Sequence, residues 1–399
     1  MKTKNLTQVS NITTGKLDAN AEIPDGKFPF FTCAPTPLRI NTFSFDDDVV
    51  LLAGNNAQGN FHLQRYKGKF DAYQRTYVIT AKKGYDIDYI KYSLELSLKH
   101  LKRLAQGSQT KFLTMQILDS FQVLDFPYED QKTLISSVYA IDSKIRLNDR
   151  ICSELESMAK TLYDYWFVQF DFPDENGKPY RTSGGEMVWN KQLKREIPKG
   201  WEAKNIQEIC AVVDCLHSKK PDLSFEAENY YLLQLDNLVD MGLLDLSNKY
   251  YVSANDYAAW TSKIEVRCGD LVITNAGRVG DIARIPEGII CGIGRNMTAI
   301  RAVNVDPIFM YYFFASSDMK AQIKSNTDTG SFFGSLNVRG IKQLIMPIPS
   351  KESEIMNRFI DIVRPIRENL EMVAQQSQEL LKLRDWLLPM LMNGQARVE

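Results

Sequence analysis

Residue types that usually carry catalysis are sparse in this chain of 399 residues. Only three histidines occur, and the chain contains no His-Glu-x-x-His, no Gly-x-Ser-x-Gly and no glycine-rich phosphate loop ending in Lys-Ser or Lys-Thr. The Asn/Asp-Pro-Pro-aromatic string of amino-methyltransferases is also missing. The acidic string PDLSFEAE (221–228) is better explained as solvated surface than as a nuclease site. The sequence therefore predicts a chain without catalytic activity.

The cysteines and the overall composition predict a folded cytoplasmic protein without a metal site. The six cysteines (Cys33, Cys152, Cys210, Cys215, Cys268, Cys291) include no Cys-x-x-Cys pair, which favours reduced and mostly buried thiols. Hydrophobic residues make up 44% of the chain, enough for a sizeable core, yet no apolar run reaches 18 residues. A formal net charge of -1 neither indicates nor excludes nucleic-acid binding, because phosphate contacts need only a local basic face.

Polar side chains in turns supply binding chemistry in place of catalysis. Thr274, Asn275 and Arg278 follow a predicted strand, and Asn55, Asn56 and Gln58 occupy the matching place earlier in the chain. Asn and Gln can form paired hydrogen bonds with adenine, and Arg can do so with guanine, so these residues suit readout of the DNA major groove. A turn that needs Asn and Gly only for their positive φ is the alternative interpretation.

Further candidates are small polar residues in two loops and basic residues scattered nearby. The loops are residues 106–112, with Gln109, Thr110 and Lys111, and residues 329–335, with Ser331. The remaining DNA-binding candidates are Arg75, Lys82, Lys83, Lys219, Lys220, Arg295, Asn296 and Arg339. Basic side chains of this kind can bind phosphates, although any one of them is more often ordinary surface charge.

Two long helices organise the rest of the chain. The first apolar seam reads Leu134, Val138, Ile141, Ile145, Asn148, Cys152, Leu155, Ala159, Leu162, Trp166, and the second reads Ile355, Phe359, Ile362, Ile366, Asn369, Val373, Gln376, Leu380, Leu383, Leu387. Both follow heptad spacing and carry Asn at the same place, which predicts an internal duplication and a coiled coil of the two helices. A pseudo-twofold axis would make the helices antiparallel and pair Asn148 with Asn369, fixing the register; alternatively, both Asn side chains lie at the seam edge in water.

The segments between the helices also repeat. Each copy reads as strand, glycine-containing turn, two strands, helix, loop and exit strand before its long helix. The predicted fold class is α+β, with two α/β domains in tandem, joined and separated by two long antiparallel coiled-coil helices with an internal pseudo-twofold repeat. The predicted segments are a first domain (1–127), a long helix (128–170), a connector (171–200), a second domain (201–349) and a second long helix (350–392). Pro365 lies inside the last helix and predicts a bend there, and Pro389 with Gly394 predicts its end.

Several strings resemble one known family. YDYWFVQFDFP, NGKPYRTSGGEMVWN and REIPKGWE resemble the central conserved region of the specificity (S) subunit of type I restriction-modification enzymes. GDLVITNAGRVGDIARI resembles its target-recognition domains, and LRDWLLPMLMNGQ its carboxyl end. The likeness covers essentially the whole chain, with the first domain the least typical part.

The resemblance implies a non-catalytic, cytoplasmic subunit that reads double-stranded DNA. Each target-recognition domain would read one half of a split, asymmetric site, and the helices would set the length of the unread spacer. By the same resemblance, the helices dock two methyltransferase (M) subunits, which use S-adenosylmethionine, and restriction/translocation (R) subunits, which use ATP and Mg. No cofactor is expected on this chain itself. The alternative is a structural adaptor that binds proteins through two α/β domains on a coiled-coil stalk.

Overall fold

The computed structural model describes residues 2–107, 109–217, 220–224, 229–327, 334–349 and 354–395. The chain forms two compact units: unit 1 comprises Met1–Ile145 and Leu380–Glu399, and unit 2 comprises Arg146–Glu379. Among the described residues, no helix combines the length and apolar composition that crossing a membrane requires.

The elements follow one another in the order predicted for a repeated α/β chain. Those up to the end of the first long helix are β1 (Thr3–Asn5), α1 (Leu6–Val9), β2 (Ser10–Thr14), β3 (Phe28–Phe31), β4 (Leu38–Ile40), β5 (Phe45–Ala53), β6 (Asn55–Asn56), β7 (Leu63–Ala72), β8 (Thr76–Ala81), α2 (Ile87–Leu104), β9 (Lys111–Phe112), α3 (Met115–Ser120), β10 (Gln122–Leu124) and α4 (Tyr128–Tyr163). A π-helical turn (Asp164–Val168) continues α4.

The second half adds a hairpin and then repeats this order with different insertions. Its elements are β11 (Met187–Asn190), β12 (Arg195–Pro198), β13 (Glu202–Asn205), α5 (Ile206–Ile209), β14 (Cys210–Asp214), β15 (Tyr231–Leu233), β16 (Leu238–Val239), β17 (Leu243–Leu244), β18 (Tyr250–Tyr251), α6 (Ala254–Trp260), β19 (Leu271–Thr274), β20 (Ile282–Arg284), β21 (Gly292–Ile293), β22 (Met297–Ala302), α7 (Pro307–Ala315), α8 (Ser317–Asn326), α9 (Val338–Lys342), β23 (Ile345–Ile348) and α10 (Ile355–Met392).

The two units share one four-stranded antiparallel arrangement. In unit 1 these strands are β2-β8-β5-β7, which continue into β3 and β4 of a six-stranded sheet, and in unit 2 they are β14-β22-β19-β20. The same kind of cap starts the next helix in each, because Asp86 accepts backbone N–H groups at the start of α2 and Asp306 does so at the start of α7. The predicted α+β fold with a duplicated α/β pattern is confirmed, whereas the five segment boundaries remain a prediction.

The predicted seam of the first long helix is confirmed. Every one of its ten positions is buried or half-buried, and the helix continues through a π turn to Val168. In unit 2, Cys152 lies beside the carbonyl of Leu370, with its Sγ 3.6 Å from that oxygen, and the Tyr163 ring lies 5.8 Å from the Phe359 ring. Since residue numbers rise along one helix as they fall along the other, the helices run antiparallel within this unit.

The predicted seam of the second long helix holds at six of its ten positions, which are buried or half-buried, and is wrong at the four that are exposed: Ile362, Asn369, Gln376 and Leu383. Ile362 is 46% exposed and Asn369 is exposed, whereas Val363, Arg367 and Leu370 point inward. Asn148 is fully buried and donates to Oε1 of Gln376 at 3.0 Å, so the predicted pairing with Asn369 does not occur. The sequence carries two neighbouring apolar stripes here, and the buried contacts of Arg367 select the second.

Arg367 is the largest fully buried side chain of the described residues, and it joins several elements of unit 2. Its Nε lies 2.8 Å from Oε1 of Glu371, and its Nη1 lies 3.5 Å from Oε2 of Glu156 on α4. The same guanidinium donates to the carbonyls of Met241 and Gly242 at 2.7 and 2.9 Å. Burial raises the pKa of Tyr311 well above its usual range, which keeps its hydroxyl protonated to donate to Glu156 at 2.9 Å. All of these charges therefore have partners, as buried ions require.

The second long helix continues through Pro365, as predicted, and, unlike the prediction, also through Pro389 to Met392. Gly394, just beyond the helix, has a φ of +68°. The helix therefore ends at the glycine rather than at the proline, as expected where a left-handed residue closes the last turn.

In unit 1 a buried carboxylate fastens α2 to both long helices. Asp142 on α4 accepts the Tyr92 hydroxyl at 2.7 Å and the Lys91 ammonium at 3.3 Å, and Arg384 of α10 lies 3.4 Å away. Burial acts to raise the pKa of Asp142, but the bond from Tyr92 and the charges of Lys91 and Arg384 outweigh it and hold the pKa below its usual range. The ionised carboxylate therefore stabilises the folded unit.

We expect Asp142→Asn to destabilise unit 1 by about 2 kcal/mol at pH 7, because a buried acceptor loses its charge beside two cations. The pKa of Asp142 is lower in the folded protein than in the unfolded chain, where it is about 3.9. The stabilisation is therefore present above about pH 3.9 and is lost as the pH falls through the pKa of the folded protein. Thermal unfolding of both proteins at pH 7 and near pH 3 should show the difference in Tm shrinking in acid. The matched control is Asp385→Asn, which alters an exposed carboxylate that pairs with the same Arg384. We expect it to lower the free energy of unfolding by less than about 0.5 kcal/mol. Equal effects of the two substitutions would contradict this role of Asp142.

Candidate nucleic-acid interface

In unit 2 the predicted polar turn begins where β19 ends, and its first residue serves the fold. Thr274 is fully buried, and its hydroxyl donates to the Arg278 carbonyl while accepting from the Asp281 N–H at 3.0 Å. Gly277 and Gly280 have φ values of +83° and +87°, as a tight glycine turn requires. Thr274 therefore closes this turn and offers no surface to a ligand.

Asn275 joins three backbone segments at the same point. Its N–H donates to the Asn296 carbonyl and its own carbonyl accepts from the Leu336 N–H, both at 2.8 Å. Its side-chain amide donates to the Thr298 hydroxyl at 2.9 Å, while Oδ1 has no hydrogen-bond partner among the described residues. The half-buried Asn275 thus holds the loop after β19 against β22 and leaves one acceptor unpaired.

Arg278 is anchored to the protein in this conformation. Its guanidinium donates to the carbonyls of Leu235 and Leu238, and its Nε lies 3.1 Å from Oδ2 of Asp281. The side chain is 49% exposed, so part of the guanidinium faces solvent. Its partners at 235 and 238 lie far away in the sequence, which is why residue type alone did not reveal this structural role.

Unit 1 presents an equivalent turn with a denser set of polar groups. Asn56 Oδ1 accepts the N–H groups of Gln58 and Asn60 at 2.9 and 3.0 Å, which closes the turn. Asn55 pairs with Phe112, which brings the loop containing Lys111 alongside. Lys102 of α2 donates to Oδ1 of Asn60 at 2.6 Å, so a second lysine joins this edge. Sequence reasoning missed Lys102 because only the folded helix brings it to the turn.

The structure brings together some candidates and separates others. Arg75 lies at the same sheet edge as Asn55, because its carbonyl accepts the Gly54 N–H at 2.9 Å. Lys82 and Lys83 follow the other end of β8, about 20 Å away at 3.3 Å per residue, and the Lys82 ammonium donates to the Thr7 carbonyl. These two lysines therefore lie far from the turn in unit 1.

The remaining candidates have varied surroundings. Gln109 and Thr110 are exposed beside Lys111, and Arg295, Asn296 and Arg339 are exposed in unit 2. The Lys220 ammonium lies 3.7 Å from the centre of the Tyr250 ring, and burial lowers its pKa. Lys219 and Ser331 lie outside the described residues.

Four of the six cysteines are buried. Burial raises the pKa of Cys210 and of Cys291 to about 12, and it also raises the pKa of Cys152 and of Cys215. Within the described ranges, the ligand atoms of Asp214, Cys215 and His217 lie within 4.8 Å of one another. His217 Nε2 lies 2.7 Å from Oδ2 of Asp214, so an ordinary hydrogen bond accounts for two of these groups. The absence of a metal site remains a prediction.

Comparisons with known proteins agree on one kind of relative. Residues 1–157 match the family described as "Type I restriction modification DNA specificity domain". The type I restriction enzyme EcoDI specificity subunit of Escherichia coli is 28% identical over 66% of this chain, and the match spans 55% of that subunit, so this chain spans about half its length. The MjaIX specificity subunit of Methanocaldococcus jannaschii is 24% identical over 80% of this chain and 72% of that protein.

A solved structure supports the same fold. The S subunit of a type I restriction-modification system from M. genitalium superposes with a TM-score of 0.62 at 16% identity, covering 98% of this chain and 95% of that one. At this level of identity the likeness concerns the fold alone.

Thr274→Val should destabilise unit 2 by about 2 kcal/mol, because it removes the hydroxyl that donates to the Arg278 carbonyl and accepts from the Asp281 N–H at 3.0 Å, leaving that N–H only a longer bond of 3.3 Å to the Arg278 carbonyl. The matched control is Thr274→Ser, which keeps the hydroxyl and removes only a methyl group, so we expect it to cost about 1 kcal/mol. Urea unfolding followed by tryptophan fluorescence would measure both. A valine variant as stable as the unmodified chain would show that the turn does not depend on this hydroxyl.

Proposed function

We propose that this chain, which is similar to the specificity subunits of type I restriction-modification enzymes, is the non-catalytic subunit that reads the DNA target of such a complex. It would act on double-stranded DNA in the cytoplasm. Each α/β unit would read one half of a split, asymmetric site. The whole complex, rather than this chain, would carry the methylation and cleavage activities.

One observation carries this proposal: the same sheet edge in each unit presents a polar turn. In unit 1 the turn exposes Gln58 beside Asn55 and Asn56, and in unit 2 it leaves 49% of the Arg278 side chain exposed beside Asn275. The strand order behind the two turns is the same, but the side chains differ. A repeated frame with different polar residues suits a protein that reads two different half-sites, because base readout depends on donor and acceptor pattern.

The long helices support the spacer-setting part of the proposal. They contain 36 and 38 residues, which at 1.5 Å per residue corresponds to about 55 Å. That length equals roughly 16 base pairs at about 3.4 Å per pair. Rigid helices of this length could hold two reading units on separate turns of one duplex.

Exposed apolar side chains on the helices support partner docking. Leu147 and Met158 on α4 are 51% and 58% exposed, and Met372 and Trp386 on α10 are 62% and 60% exposed. Exposed apolar residues also occur elsewhere in the described chain, as at Trp189 and Val303, but these four lie on the two long helices and suit helical partners. We propose that two methyltransferase (M) subunits dock here and bring S-adenosylmethionine, and that restriction/translocation (R) subunits bring ATP and Mg.

Binding to duplex DNA separates this function from the adaptor alternative. The chain co-purified with its neighbouring methyltransferase should bind duplex DNA with an affinity that falls linearly on a log–log plot as salt rises. The methyltransferase alone is the control for binding that the chain does not supply. An adaptor would add no sequence-dependent affinity at any salt concentration, and that result would overturn the proposal.

Lengthening both long helices should change the spacer and nothing else. One heptad inserted after Ile145 and another after Glu379 keeps the apolar seam in phase and adds about 10.5 Å, or roughly 3 base pairs. Methylation sequencing should show a longer spacer between unchanged half-sites. A heptad in only one helix is the control, since it breaks the pairing of the two seams and should reduce stability. Altered half-sites in the double insertion would contradict the spacer-setting role.

A further inference from the structure

Two residues form an exposed tip directly before β8 in unit 1. The Tyr73 N–H donates to the Phe31 carbonyl at 2.9 Å, and the Thr76 N–H donates back to the Tyr73 carbonyl at 2.8 Å. Gln74 and Arg75 lie between these two anchored residues and are exposed. The backbone of the tip is therefore fixed on both sides, while its two side chains project from the sheet edge.

Unit 2 builds a corresponding tip before β22, and two of its backbone bonds match bonds of unit 1. The Gly294 N–H donates to the Leu233 carbonyl, and the Asn275 N–H donates to the Asn296 carbonyl, both at 2.8 Å. These bonds correspond to those of Tyr73 with Phe31 and of Gly54 with Arg75. The pairing of Thr274 with Met297 likewise matches that of Ala53 with Thr76. Arg295 and Asn296 thus occupy the places of Gln74 and Arg75.

The chemistry of the two tips is alike although the order of residues is reversed. Each tip carries one guanidinium and one carboxamide, and all four residues are exposed. None of these four side chains forms a hydrogen bond or ion pair with another described residue, in contrast to Thr274, Asn275 and Arg278. Arg suits guanine and Asn or Gln suits adenine, so each tip can make one paired contact of each kind.

The backbone of the second tip forms a turn that leaves its side chains exposed. Asn296 has a φ of +64°, a left-handed conformation that Asn adopts more readily than other non-glycine residues, so the turn itself accounts for an Asn at this place. Its carboxamide is exposed and available to a ligand. The two-residue width of each tip also fits the DNA major groove, which is about 12 Å wide.

We propose that Gln74–Arg75 and Arg295–Asn296 are matched base-reading tips, one for each half of the split site. This inference rests on the proposed function and names the side chains that determine its specificity. The shared strand arrangement places each tip at the same position in its unit. The order of guanidinium and carboxamide is reversed, so the two tips read different bases in the two half-sites. The asymmetry of the target thus arises from side chains on a shared backbone.

The test is selection from a randomised duplex library by the full chain in complex with its methyltransferase, followed by sequencing of the bound DNA. One variant carries Gln74→Ala with Arg75→Ala, and the other carries Arg295→Ala with Asn296→Gly, where glycine tolerates the positive φ. The controls are Lys67→Ala, on an exposed lysine away from the tip of unit 1, and Asn304→Ala, beyond the far end of β22. A thermal melt confirms that each variant is folded.

We expect each tip variant to lose base preference by about tenfold or more at one or two positions of one half-site. The other half-site, the spacer and the motifs of both control variants should be unchanged. An unchanged motif in both folded tip variants would overturn the inference. A uniform loss of affinity with unchanged base preference would also overturn it, because that result indicates contacts with phosphates. If the unmodified complex selects no split motif, the proposed function itself fails, which is distinguishable from failure of the tips alone.

Discussion

The burial of Arg367 is the constraint on which the second unit depends. A fully buried guanidinium is tolerated only when opposite charge and hydrogen-bond acceptors surround it, and here Glu371, Glu156 and the carbonyls of Met241 and Gly242 supply both. These partners come from α10, from α4 and from the turn at 240–242. Because Arg367 must face inward, the helix surface that contains it becomes the seam. Ile362 and Asn369 therefore face outward.

The sequence predicts the first seam and the repeated element order well, because both rest on periodicity and turn residues. It fails at four positions of the second seam because apolar residues fill two adjacent stripes, as at Ile362 and Val363, and periodicity cannot choose between them. It also cannot distinguish a turn residue that binds a ligand from one that holds the turn. Arg278 shows this limit, since its partners Leu235 and Leu238 are distant in sequence. Gln74 carries no signal until the backbone bonds of the two units are compared.

The two units show how one frame can serve different targets. The four-strand order, the aspartate caps of α2 and α7 and the bonds around Gly54 and Asn275 are shared, and they fix the backbone at one sheet edge. The side chains at that edge are not shared. Recognition chemistry can therefore change without altering the packing that positions it, because the exposed tips contribute little to either core.

The most direct measurement is long-read methylation sequencing of DNA from cells that express this chain with its neighbouring methyltransferase, compared with cells that lack only this chain. We expect a split methylated motif that appears only when the chain is present. It would define both half-sites and the spacer in one experiment. If the methyltransferase is active and bound to the chain but no new motif appears, the account is contradicted and the adaptor function takes its place.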